Sequence, residues 1–115
     1  MPAFFKTLSG FHGKVEIPDL GAVIAETASW RMTRRGSDEN SKDPEAEFYD
    51  LSADLRFVND ALFNDPDYEK RVIIQAGKGQ SYVLEPVEGP GQRTALNGRN
   101  LVMERVRPCR QEPPK

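Results

Sequence analysis

His12 is the chain's single histidine and Cys109 its single cysteine, the side chains best suited to proton transfer and nucleophilic attack. A catalytic or metal-binding histidine needs a thiol or a cluster of carboxylates beside it, and the neighbours Phe11 and Gly13 supply neither. One cysteine builds neither an internal disulfide framework nor a multi-cysteine zinc site, and Cys109 reads as an incidental thiol. Gly77-Lys78-Gly79-Gln80-Ser81 has the composition of a phosphate loop without the G-x-x-x-x-G-K-[ST] spacing. It also leads into a strand pattern, not a helix whose N-terminus could hold a phosphate. Gly89-Pro90-Gly91 is a turn. Carboxylates gather at Asp38, Glu39, Asp43, Glu45 and Glu47, in or beside a stretch from Gly36 to Pro44 without an apolar residue. Burial does not tune pKa values in such a solvated loop. The residues therefore predict no catalysis, no metal and no cofactor.

The same charges suit recognition. Arg31, Arg34 and Arg35 precede the loop, and Asp38, Glu39 and Asp43 lie within it. Pairing between adjacent copies would fix their register; pairing within one chain is the simpler competitor. Trp30, the single tryptophan, is either a core residue or an interface anchor, since Trp and Arg are enriched at binding hot spots. Phe4, Phe5 and Phe11 enrich the N-terminus in aromatics, which pack on the domain or on a neighbour because exposed aromatic clusters are costly. The candidate subunit-contact residues are thus Phe4, Phe5, Phe11, Trp30, Arg31, Arg34, Arg35, Asp38, Glu39 and Asp43.

These residues need a scaffold, and 115 residues make one domain. An apolar share of 37% against 30% charged predicts a small core or stability completed by association. A net charge of -2 argues against a sequence-specific nucleic-acid partner. The opening Met-Pro-Ala-Phe-Phe-Lys is too short in apolar run for a signal peptide, and no stretch reaches the ~20 apolar residues of a membrane span. The expectation is a soluble protein of a reducing compartment.

An N-terminal arm is predicted over residues 1–12, a β-rich domain over 13–107 with a flexible loop at 36–44, and a disordered tail over 108–115. Val15 and Ile17 alternate with Lys14 and Glu16, as in a half-buried strand. Pro18-Asp19-Leu20-Gly21 is a turn, with Pro fixing φ and Gly free of its Cβ. The next arm, Ala22 to Arg34, puts Ile24, Ala28, Trp30 and Met32 on one face, with Glu26 marking a bulge, twist or edge. Residues 45–51 read as a strand. Ser52 then reads as a helix N-cap, with Leu55, Val58 and Leu62 at helical spacing and Asn64 to Asp67 as the stop. Arg71 to Gln75 and Ser81 to Val87 flank the Gly77–Gly79 turn as a second hairpin. Asn97-Gly98 turns into a last strand, Asn100 to Val106, with Leu101, Met103 and Arg105 on one face. The fold class is mainly β with one short helix (α+β), an antiparallel β-sandwich or partly open barrel in the order β-β-β-α-β-β-β.

Leu8-Ser9-Gly10-Phe11-His12-Gly13-Lys14-Val15, a short turn, and Ala22 to Ser29-Trp30 together form an "SG-x-x-G-x-V" strand and an arm ending in "SW". This opening resembles tail-tube-type proteins of tailed bacteriophages, and the order of elements is similar from residue 8 to about 87. The resemblance implies a structural virion protein assembled in the host bacterial cytoplasm. Its partners would be other copies of itself and other virion proteins, such as major capsid or tail proteins. The chain is short for a tube subunit, and capsid decoration (cement) is the alternative within that class. Outside it, a small β-barrel module could bind peptide or carbohydrate through a groove of Trp30, Tyr49 and Tyr82. A small hydrolase or isomerase would need a close pair of buried carboxyls.

Overall fold

The computed structural model describes residues 7–37 and 47–110. The chain order is β1 (Thr7–Gly10), β2 (His12–Ile17), β3 (Ala22–Ser37), β4 (Glu47–Val58), α1 (Asp60–Phe63), β5 (Arg71–Ala76), β6 (Gln80–Pro86), β7 (Arg93–Asn97) and β8 (Asn100–Arg110). All pairings are antiparallel. β3, β2, β5, β6, β8 and β4 follow one another around a closed six-stranded barrel, sealed by the β3–β4 pairing, with β1 and β7 as additional strands. A closed ring leaves no edges within it.

Two interrupted strands frame the barrel. β1 and β2 lie in succession along one edge of β3, with Gly10 opposite Trp30 and Lys14 opposite Glu26, and the chain bends between them at Phe11. In the same way β6 and β7 lie in succession along one edge of β8, with Pro86 opposite Val106 and Arg93 opposite Glu104. The core fills the barrel with side chains from every ring strand, among them Ile17, Met32, Leu51, Ile74, Leu84 and Leu101.

The β2–β3 and β5–β6 hairpins lie where turn chemistry puts them. Gly21 takes φ +59 after a single 3-10 turn at Pro18–Leu20, a conformation that costs other residues about 1–2 kcal/mol. The expected bulge near Glu26 is also present, as shifts of the β3–β4 register at Glu26/Thr27 and Thr27/Ser29. Its effect reaches further than expected. Ala25 and Thr27 point inward before the shift and Trp30 and Met32 after it, so Ala28 is exposed and not on the buried face.

The helix is the main correction. Ser52 to Val58 continue β4, and α1 is a single turn capped by Asn59, whose Oδ1 accepts from the Leu62 N–H at 3.2 Å. Leu51, Ala53 and Leu55 are buried while Ser52, Asp54 and Arg56 are exposed, a period of two. β4 is held by β3 on one edge and β8 on the other, so tertiary pairing overrides the helical spacing of Leu55, Val58 and Leu62. β7 is a further strand, over a stretch where none is expected before the Asn97-Gly98 turn. Thr7–Gly10, within the arm expected to pack on the domain or on a neighbour, pairs with β3 of its own chain. β8 runs on past Val106, and Pro108 is buried opposite Leu84, so the chain is ordered three residues beyond 107. β4 reaches β8 only as far as Val106, and a strand paired on one edge is where proline is tolerated. Cys109 accordingly lies half-buried in β8, opposite Val83.

Candidate functional site

The bend at Phe11 is built from buried donors. Thr27 is 1% exposed, and its Oγ1 donates to the Phe11 carbonyl at 2.8 Å. Trp30 is 2% exposed, and its Nε1–H donates to the His12 carbonyl at 2.9 Å. Both bonds satisfy carbonyls that the interrupted ladder would leave open. The indole also passes so close to Gly10 that a Cβ there would lie 2.6 Å from Cζ2. A Cβ on Gly13 would lie 2.9 Å from the Ile73 carbonyl oxygen and 3.2 Å from Thr27. The glycines at 10 and 13 are therefore spatial requirements of this junction. Trp30 is a core residue, covered almost wholly by its own chain, which corrects its place among the subunit contacts.

With its carbonyl fixed, Phe11 is 71% exposed. Beside it lies an open trough of about 460 Å3 lined by Ser9, Gly10, Phe11, Ser29, Trp30, Arg31, Ser52 and Asp54. Strand register explains its shape. Ser9, Arg31 and Ser52 are cross-strand neighbours on β1, β3 and β4, and Ser29 faces Asp54 in the adjoining row. Small serine side chains at outward positions leave a channel between Phe11 and the charged residues. Asp54 accepts from Ser29 Oγ at 3.4 Å and from Asn100 Nδ2 at 3.1 Å. Arg31 is exposed and makes no ion pair among the described residues. A second shallow groove, of about 340 Å3, runs past His12, Lys14, Glu26 and Arg56.

The other polar cluster surrounds a bulge. Tyr49 pairs with Val106 and Leu51 with Met103, so Asp50 faces both Glu104 and Arg105. Arg105 takes φ +66, and its N–H donates to Asp50 Oδ1 at 3.2 Å. Its guanidinium donates to the carbonyls of Val87 at 3.1 Å and Glu88 at 3.2 Å, and lies 4.2 Å over the Phe48 ring. The bulge turns Arg105 outward, so Val106 and not Arg105 follows Met103 into the core. Around it, Arg35 reaches Asp50 at 2.9 Å and Glu104 at 3.1 Å, and Arg93 reaches Glu104 at 2.6 Å. Hydrogen bonds from Arg93 and then Arg35 hold the Glu104 carboxyl below its ordinary pKa. Bonds to Asp50 and Glu104 raise that of Arg35.

The candidate contact residues therefore separate. Phe11 and Arg31 are exposed and lie together on the trough. Arg34 pairs with Glu47 at 3.0 Å and Arg35 with Asp50 and Glu104, so both use the simpler, intramolecular option. Phe4, Phe5, Asp38, Glu39 and Asp43 lie outside the described residues. The proposed groove of Trp30, Tyr49 and Tyr82 does not form, because Trp30 and Tyr49 are core residues at 2% and 0% exposure. Among the described residues Thr27 is the buried polar side chain, no His, Cys, Asp and Glu gather as a metal-ligand group, and no helix is long and apolar enough to cross a membrane. The trough serines escape sequence reading because an alternating serine looks like any solvent-facing strand position.

Comparison with protein families, with curated proteins and with solved structures finds no match for this chain.

Proposed function

We propose that this chain is a structural subunit of a tailed-phage-like particle that associates with copies of itself through strand edges. A tail-tube-like role stands ahead of capsid decoration. The observation that carries the reading is that β1 and β7 overhang the closed ring, each paired on one edge only among the described residues. An overhanging edge presents unpaired N–H and C=O groups, which a strand from another molecule satisfies. Phe11, 71% exposed at the end of β1, supplies an apolar contact beside that edge. The resemblance of the opening segment to tail-tube-type proteins gains physical content from Gly10, Gly13 and Trp30, which are interlocked in one junction. With Arg34 and Arg35 engaged inside the chain, the association rests on backbone bonds and apolar contact, not on intersubunit ion pairs. Other virion proteins are the remaining partners, and the virion is the location.

Electron microscopy of the purified chain across a concentration series tests this. Stacked rings or filaments that persist in high salt are the expected result. A small oligomer that binds only a capsid lattice moves the assignment to decoration. A monomer at every concentration, without affinity for either, overturns it.

A further inference from the structure

We infer that the trough beside Phe11 is a binding site for a pyranose-bearing glycan. The site shares Phe11 with the self-association surface proposed above, so a glycan and a neighbouring copy would compete for the ring; the argument itself begins with the chemistry of the lining. Phe11 offers an exposed aromatic ring on a bend whose flanking carbonyls are tied to Thr27 and Trp30. The backbone that carries the ring is thus fixed by the core, so the loop does not have to be ordered on binding, which lowers the entropic cost of recognition. Lining the trough with it are the hydroxyls of Ser9, Ser29 and Ser52, the Asp54 carboxylate and Arg31, which makes no ion pair among the described residues.

A ligand that matches this surface needs an apolar face for the ring together with many closely spaced groups able both to donate and to accept hydrogen bonds. A pyranose has that combination, with C–H bonds on its face and hydroxyls around its rim. Serine hydroxyls serve either role, Asp54 accepts, and Arg31 donates in a planar fork suited to a vicinal pair of oxygens or a carboxylate. The volume of about 460 Å3 falls within the roughly 300–1,000 Å3 of small-molecule sites. The trough is open at the surface, so a chain of sugars can pass along it without a free end having to enter. Neutral and uronic-acid glycans share this chemistry, and Arg31 distinguishes them.

The test is a titration of the full-length protein, followed by amide shifts in NMR, with maltohexaose, cellohexaose, chitohexaose and hexagalacturonate. Saturable shifts confined to Ser9–His12, Ser29–Arg31 and Ser52–Asp54 are expected with at least one of them, with a Kd on the order of 1 mM. Phe11→Ala is expected to weaken that binding at least about tenfold. Its spectrum elsewhere stays that of the parent, because the ring leaves no core cavity. Saturable binding of hexagalacturonate that is lost in Arg31→Ala identifies an acidic sugar; saturable binding of a neutral chain, retained in Arg31→Ala, with none of hexagalacturonate by the parent protein identifies a neutral one. Absence of saturable shifts with all four at about 10 mM overturns the site, as does binding that survives Phe11→Ala unchanged.

Discussion

The bend at Phe11 and the bulge at Arg105 both interrupt an antiparallel ladder, and the chain treats them with opposite chemistry. At Phe11 the open carbonyls are met by Thr27 and Trp30, side chains that are themselves buried, and glycines at 10 and 13 let them approach. At Arg105 a left-handed backbone is held by Asp50, by carbonyls of the neighbouring loop and by the Phe48 ring, with Arg35, Glu104 and Arg93 in a surface network. The first interruption is part of the core. The second is a charged brace on the outside. Buried junctions couple directly to packing, whereas exposed ion pairs contribute little and are screened by salt.

This contrast orders the expected effects of mutation. Trp30→Ala removes the largest side chain of the buried junction together with its bond to His12, and should cost about 3–5 kcal/mol in urea unfolding. A cost below that of any brace variant would reverse the comparison. Gly13→Ala pushes a methyl toward a backbone oxygen that has no rotamer to escape into, and should cost about 1–3 kcal/mol by the same measurement. Arg105→Ala loses the ring contact and two bonds to carbonyls while keeping the left-handed backbone. An unfolding cost of about 1–2 kcal/mol is expected.

The smallest effect belongs to Glu104. Its carboxyl pKa is lowered in the folded chain, so the folded state binds this proton less readily than the unfolded one. The stabilisation is therefore present above the unfolded value and fades as pH falls through the folded one. Glu104→Gln should flatten the acid side of the stability profile slightly and reduce its dependence on salt, leaving neutral-pH stability in high salt unchanged. A larger loss for this variant than for Gly13→Ala would show that the brace, not the junction, carries the fold.

Both hairpins were readable because their turns are written in local chemistry: Pro18 to Gly21 at one, Gly77 to Gly79 at the other. The shift near Glu26 was readable as a charge interrupting an apolar alternation. What was not readable depends on partners distant in sequence. Leu51, Leu55 and Val58 fit a helical spacing about as well as a strand spacing, and only β3 and β8 on either side decide between them. Arg93 to Asn97 form a strand because β8 offers an edge. The outward turn of Arg105 requires Asp50 opposite it, 55 residues earlier. The candidate site was legible by half. Phe11 stood out as an aromatic in a polar setting, but the serines that shape the trough meet only when β1, β3 and β4 align.

The sealing of the barrel sets how it must form. β2 joins β5 across residues 12–16 and 71–75, and β8 must reach both β4 and β6 before the ring exists. Local hairpins assemble first at low entropic cost, but neither can shelter its apolar face alone. Formation should therefore be slow and all-or-none, its rate set by the search for those distant seams. A nascent chain stopped before β8 is made would display open, sticky strands until that strand arrives.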